Sequence, residues 1–60
     1  MQAKNWRVRA EMAKYKITNG SLGKVLGMTH YAVSYMLRYE LADSEQERLI
    51  EAVHKAAGVQ

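Results

Sequence analysis

Sixty residues with no cysteine and no proline make one domain at most, 1–60, with an ordered core expected over about residues 5–58, and exclude disulfides and thiolate metal sites. A chain this short buries only about 60% of the surface its unfolded form exposes, so helix packing, helped by a second copy, has to supply the stability. The net charge of +3 is unevenly divided, with seven Lys and Arg against one acid in residues 1–39 and two against five in residues 40–60; such a polarity orients a protein on a polyanion.

No stretch alternates apolar and polar residues in the manner of a strand, and the apolar spacing is helical throughout. The first helix is predicted from about Asn5 to Tyr15. Val8, Met12 and Tyr15 share one face. Trp6, Ala10 and Ala13 are expected to widen that buried side, and Arg7, Glu11 and Lys14 to lie opposite. Ile17-Thr18-Asn19-Gly20 gathers β-branched and turn-forming residues, which ends the helix.

A short second helix fits Gly20 to Leu26, with Leu22, Val25 and Leu26 as its apolar face and Thr18 or Asn19 as its cap. Gly27 closes it, since glycine adopts the left-handed conformation at a helix end without a Cβ clash. Thr29 then caps a third helix running to about Tyr39. Only Gly27-Met28-Thr29 joins the two, and helices linked so tightly cross steeply.

Ser44-Glu45-Gln46-Glu47 has the pattern of a capping box, with Ser44 bonding the Glu47 amide and the Glu47 side chain reaching back. It opens a fourth helix with Leu49, Ile50, Val53, Ala56 and Ala57 as its stripe and Gly58 as its stop. The four methionines read as core filler. Frayed ends are expected at Met1–Lys4 and Val59–Gln60.

The third helix carries the functional signal. At 100° per residue, Val33 and Met36 point one way, with Thr29 and Ala32 beside them. His30, Tyr31, Ser34, Tyr35 and Arg38 point the other way within an arc of about 140°. That face holds an imidazole, two phenols, a hydroxyl and a guanidinium, and no carboxylate to repel phosphates. Base edges in a major groove offer donors, acceptors and the thymine methyl. His30, Tyr31 and Ser34 are therefore expected at bases, Arg38 at a guanine or a phosphate, and Tyr35 at a phosphate. Thr18, Asn19, Ser21, Lys24 and Thr29 complete the set expected on the DNA backbone. Tyr39 is the tyrosine of this helix expected to pack inward, and Trp6 is either core or a dimer contact.

Residues Ile17 to Ser34, with Leu22, Gly23, Leu26, Gly27, Met28, Thr29 and Val33-Ser34 as anchors, resemble the helix-turn-helix of the Cro and C1 repressor family of bacteriophages and mobile elements. The likeness extends over about residues 7–57. It implies an all-α, lambda-repressor-like domain of four or five helices that binds double-stranded DNA as a homodimer. In that family a small residue at the position of Gly23 lets the two helices approach, and the valine plugs the core between them. Three positions differ. Asn19 stands where a glutamine usually contacts DNA, Gly23 where alanine is usual, and Leu37-Arg38-Tyr39 where Glu-x-Gly often follows the recognition helix. A glycine inside a helix costs about 1 kcal/mol relative to alanine. The dimer surface is expected on the fourth helix or the C-terminal tail.

The chain has no paired carboxylates, no nucleophile beside a base, no phosphate-binding glycine loop and no spaced metal ligands. No enzyme activity, cofactor or small-molecule substrate is expected, and His54 reads as a helix surface residue. No apolar run is long enough to cross a membrane, and Met1–Arg9 lacks the pattern of a signal peptide. A cytoplasmic regulator of transcription is the expectation. The competing reading keeps the fold and makes the tyrosine-rich third helix a docking face for a partner protein, as in an anti-repressor or adaptor.

Overall fold

Asn5 turns the chain through a left-handed conformation (φ 56°) and the first helix begins at the next residue. In a computed structural model describing residues 4–59, the elements are α1 (Trp6–Tyr15), α2 (Asn19–Leu26), α3 (His30–Met36) and α4 (Asp43–Ala56). Among the described residues there is no strand, and the architecture is all-α as predicted. Helix α4 packs on both α1 and α2, and α2 packs on α3. Of the ends expected to fray, Met1–Lys4 and Val59–Gln60, residues 1–3 and 60 lie outside the described residues.

Each helix contributes to one core. Val8, Leu22, Val33 and Val53 are fully enclosed, with Met12, Leu37, Leu49 and Ala52 around them. Burying side chains of this size stabilises the fold by roughly 1.5–3 kcal/mol each. Tyr15, Ile17, Leu26, Met28, Met36, Leu41 and Ile50 seal the rim, so three of the methionines do fill gaps around the core.

On α1 the predicted face of Val8, Met12 and Tyr15 is the packed one, but its borders are reversed. Trp6, Ala10 and Ala13 are exposed, whereas Arg7 and Glu11 are half-buried against α4. Helical phase explains part of this, because Ala10 and Trp6 sit about 180° and 140° from the Val8–Met12 direction and Glu11 only about 80°, and the docking of α4 on the Arg7–Glu11 side decides the rest. His54, expected on the helix surface, keeps about a third of its side chain exposed. It is half-buried in the α1–α4 seam, with Nε2 3.5 Å from Glu11 Oε1 and its ring edge-on to Tyr15 at 5.4 Å.

The start of α4 also differs from expectation. Ala42 is its N-cap, with no side-chain cap bond, and Ser44 lies inside the first turn rather than before it. The reason is Gln46, which is buried. Its amide N–H bonds Ala42 O at 2.9 Å and its side chain donates to Leu41 O at 2.9 Å. Those bonds begin the helix before the Ser44–Glu47 pattern can. Asp43 and Glu45 still place negative charge at the positive end of the helix dipole. Gly58, at φ 77°, follows the last turn as predicted.

Candidate nucleic-acid interface

The unit formed by α2, a three-residue turn and α3 is built from local chemistry. Thr18 Oγ1 accepts from the Ser21 amide at 3.1 Å, which caps α2. Gly27 ends α2 in the left-handed conformation (φ 71°), its N–H bonding Gly23 O. Thr29 Oγ1 then accepts from the Ala32 amide at 3.1 Å and starts α3. Gly23 is buried under the turn. A Cβ at that position would lie 2.4 Å from Met28 O, and the Met28 amide bonds Gly23 O at 2.8 Å. Helix α2 thus meets the backbone of the turn that leads into α3, closer than a side chain at residue 23 would allow.

Helix α3 is shorter than predicted and ends at Met36, not Tyr39. Its last turn tightens, with the Arg38 amide on Tyr35 O at 3.2 Å and the Tyr39 amide on Met36 O at 3.4 Å. The carbonyls beyond are claimed from elsewhere. Asn5 Nδ2 donates to Leu37 O at 3.2 Å and to Tyr39 O at 2.8 Å, and Arg9 Nη2 also donates to Leu37 O at 3.2 Å. Leu37, one turn past Val33 with its amide on Val33 O at 3.0 Å, shares the buried side, and Tyr39 lies beyond the helix end. Tyr39 is 55% exposed, against the expectation that it packs inward.

All four residues expected at bases are exposed: His30, Tyr31 and Ser34 on α3, and Arg38 in the turn that follows it. Val33 is enclosed and Met36 half-buried on the opposite side, so the predicted division of α3 is present. Of the set expected on the backbone, Thr18, Ser21, Lys24, Thr29 and Tyr35 are exposed and Asn19 is half-buried in the first turn of α2. Thr18 donates its hydroxyl proton to Ser21 Oγ at 3.1 Å. Among the described residues neither the Ser21 nor the Thr29 hydroxyl donates a hydrogen bond.

The electrostatics follow from the sequence order. Residues 12–39 contain no aspartate or glutamate, so α2, α3 and the turns that follow each carry only positive charge, from Lys24 and Arg38. Neither cation has an ion-pair partner among the described residues. The nearest acid in sequence, Glu40, accepts from the Asn5 amide at 2.8 Å. Glu45 and Glu51 border a cleft with Leu26, Met28 and Met36, on the inward edge of α3.

Sequence reasoning missed Asn5, Arg9 and Gln46 as the residues that shape the segment after α3. The partners of Asn5 and Arg9 in that segment lie 28–36 positions away, which leaves no local pattern, whereas Gln46 reaches back only five positions to Leu41 O. No helix among the described residues is long and apolar enough to cross a membrane. Compared with protein families, curated proteins and solved structures, the chain matches none.

Proposed function

We propose that this protein binds double-stranded DNA sequence-specifically and regulates transcription in the manner of phage Cro and C1 repressors, with a lambda-repressor-like helix-turn-helix. Helix α3 enters the major groove, and α2 with its flanking residues lies on the phosphate backbone. The observation that carries this reading is the outer face of α3. His30, Tyr31, Ser34 and Tyr35 stand exposed beside Arg38, on a stretch of chain without a carboxylate. His30, Tyr31, Ser34 and Arg38 read bases, while Thr18, Asn19, Ser21, Lys24, Thr29 and Tyr35 hold the backbone.

The protein acts in the cytoplasm of a bacterium or phage-infected cell, without cofactor or catalysis. It binds as a homodimer across two half-sites about one DNA turn apart. Fluorescence anisotropy with pooled duplex at several salt concentrations tests this reading. Affinity falls steeply as salt rises, because each phosphate contact releases counterions. A flat salt response would reject it.

The exposure of Tyr31, Tyr35 and Tyr39, at 75%, 60% and 55%, favours one other reading, a docking face for a partner protein. Charge reversal at Lys14, Lys16 and Lys24 separates the two. It abolishes DNA binding and spares capture of a partner through the tyrosines.

A further inference from the structure

Between His30 and Met36, α3 has no arginine, lysine, asparagine or glutamine. Those are the side chains that bond two positions of a guanine or an adenine at once in the major groove. What the helix presents instead is ring surface. Tyr31 and Tyr35 are the two most exposed large hydrophobic side chains among the described residues.

Both rings are braced. Tyr31 lies against the His30 imidazole with centroids 3.9 Å apart at 35°. Tyr35 meets Tyr39 edge to face at 5.5 Å. Bracing reduces the rotamer freedom a side chain loses on binding. His30 and Ser34 add single hydrogen-bonding groups to the same face, and Arg38, the one guanidinium nearby, lies beyond the helix end.

The apolar group a major groove offers to such a surface is the C5-methyl of thymine. We propose, resting on the DNA-binding reading above, that Tyr31 and Tyr35 recognise thymine methyl groups through their ring faces and edges, the Tyr35 ring doing so while its hydroxyl reaches the phosphate backbone. The preferred duplex is then thymine-rich where it faces α3, and the phenol hydroxyls are dispensable for that preference.

The test starts from duplexes selected out of a random pool. Each thymine of the selected site is replaced in turn by deoxyuridine, which removes the methyl and nothing else, and affinity is read at fixed salt. Loss of one buried methyl weakens binding roughly fourfold at each contacted thymine. Tyr31→Phe keeps the preference for thymine over uracil, and Tyr31→Ala removes it at one position. Tyr35→Ala removes it at another. Circular dichroism confirms that these exposed substitutions leave the helices intact.

Equal binding of thymine and uracil duplexes at every position overturns the inference while leaving DNA binding in place. So does a preference that persists in the Tyr31→Ala, Tyr35→Ala double variant. A selection that recovers no duplex, with no binding at any salt, rejects the DNA-binding reading itself and the methyl recognition with it. Retention of a protein partner that the same double variant loses would then assign the tyrosines to protein docking.

Discussion

Asn5 and Leu41, 36 positions apart, are joined by a 2.8 Å hydrogen bond in which the Asn5 Oδ1 accepts the Leu41 amide. The same side chain donates from Nδ2 to Leu37 O and Tyr39 O, so a single fully buried amide holds both flanks of Arg38. Asparagine suits this place twice over. It tolerates the left-handed backbone of residue 5, and it can donate and accept at once.

Asn5→Asp keeps the shape and the acceptor but removes the donor, leaving a carboxylate against two carbonyl oxygens. The expected cost is about 3 kcal/mol, the range for a buried group whose partners are lost, which is a large share of the stability of so small a domain. Asn5→Gly keeps the left-handed backbone without strain but removes a fully buried side chain together with its three bonds, so it is expected to cost a comparable amount, about 2–4 kcal/mol. Urea denaturation followed by circular dichroism measures both. Equal midpoints for Asp and wild type would show that the amide does not hold this segment.

Gly23 and Gly20 occupy the same helix and are expected to respond to alanine with opposite signs. At Gly23 the new Cβ meets the Met28 carbonyl, a backbone atom that the Met28–Gly23 bond keeps in place. The gain of about 1 kcal/mol in helix propensity is outweighed by overpacking of about 1–3 kcal/mol. At Gly20 the nearest atom is Thr18 Oγ1 at 3.7 Å, an ordinary contact. Gly20→Ala is therefore expected to stabilise by roughly 0.5–1 kcal/mol. Thermal midpoints of the two variants check both signs.

The caps offer a similar contrast. Ser44→Ala is expected to leave stability within about 0.5 kcal/mol of wild type, because Ser44 does not cap α4. Ala42, the residue that does stand at the N-cap, already has the extended backbone (φ −62°, ψ 154°) a capping side chain needs. Ala42→Ser is expected to add about 1 kcal/mol. Thr29→Ala removes the bond to the Ala32 amide and is expected to cost about the same amount. Chemical denaturation of the three variants measures the set.

These contrasts mark what could be read from the chain. Periodicity located the four helices and most of the core, because Val8, Met12, Leu22, Val33, Leu49 and Val53 recur at helical spacing. Gly27 and Thr29 were legible as C-cap and N-cap because capping is local. The outward side of α3 was legible for the same reason. The end of α3 was not, since Asn5 and Arg9 set it from 28–34 residues away. The false capping box at Ser44 was a correct local pattern overruled by Gln46, whose partners Leu41 and Ala42 advance the helix start. On α1 the chain signals that residues are apolar, but the side on which α4 docks decides that Trp6 stays exposed and Glu11 does not.

Arg38 and Lys24 separate base reading from backbone holding. Both are exposed and neither has an ion-pair partner among the described residues, so alanine at either position is expected to change stability by less than about 0.5 kcal/mol. Their effects on DNA binding are expected to differ in kind. Arg38→Ala loses about 1–3 kcal/mol of affinity for the preferred duplex and relaxes the preference at one base pair. Lys24→Ala weakens all duplexes alike and lowers the salt slope by about 1. Anisotropy titrations of both variants against preferred and scrambled duplexes, repeated across a salt series, resolve the two patterns. A uniform loss with a reduced slope for Arg38→Ala would place that guanidinium on a phosphate and leave base reading to His30, Ser34 and the tyrosines. No loss from either variant would mean that α2 and α3 do not meet DNA.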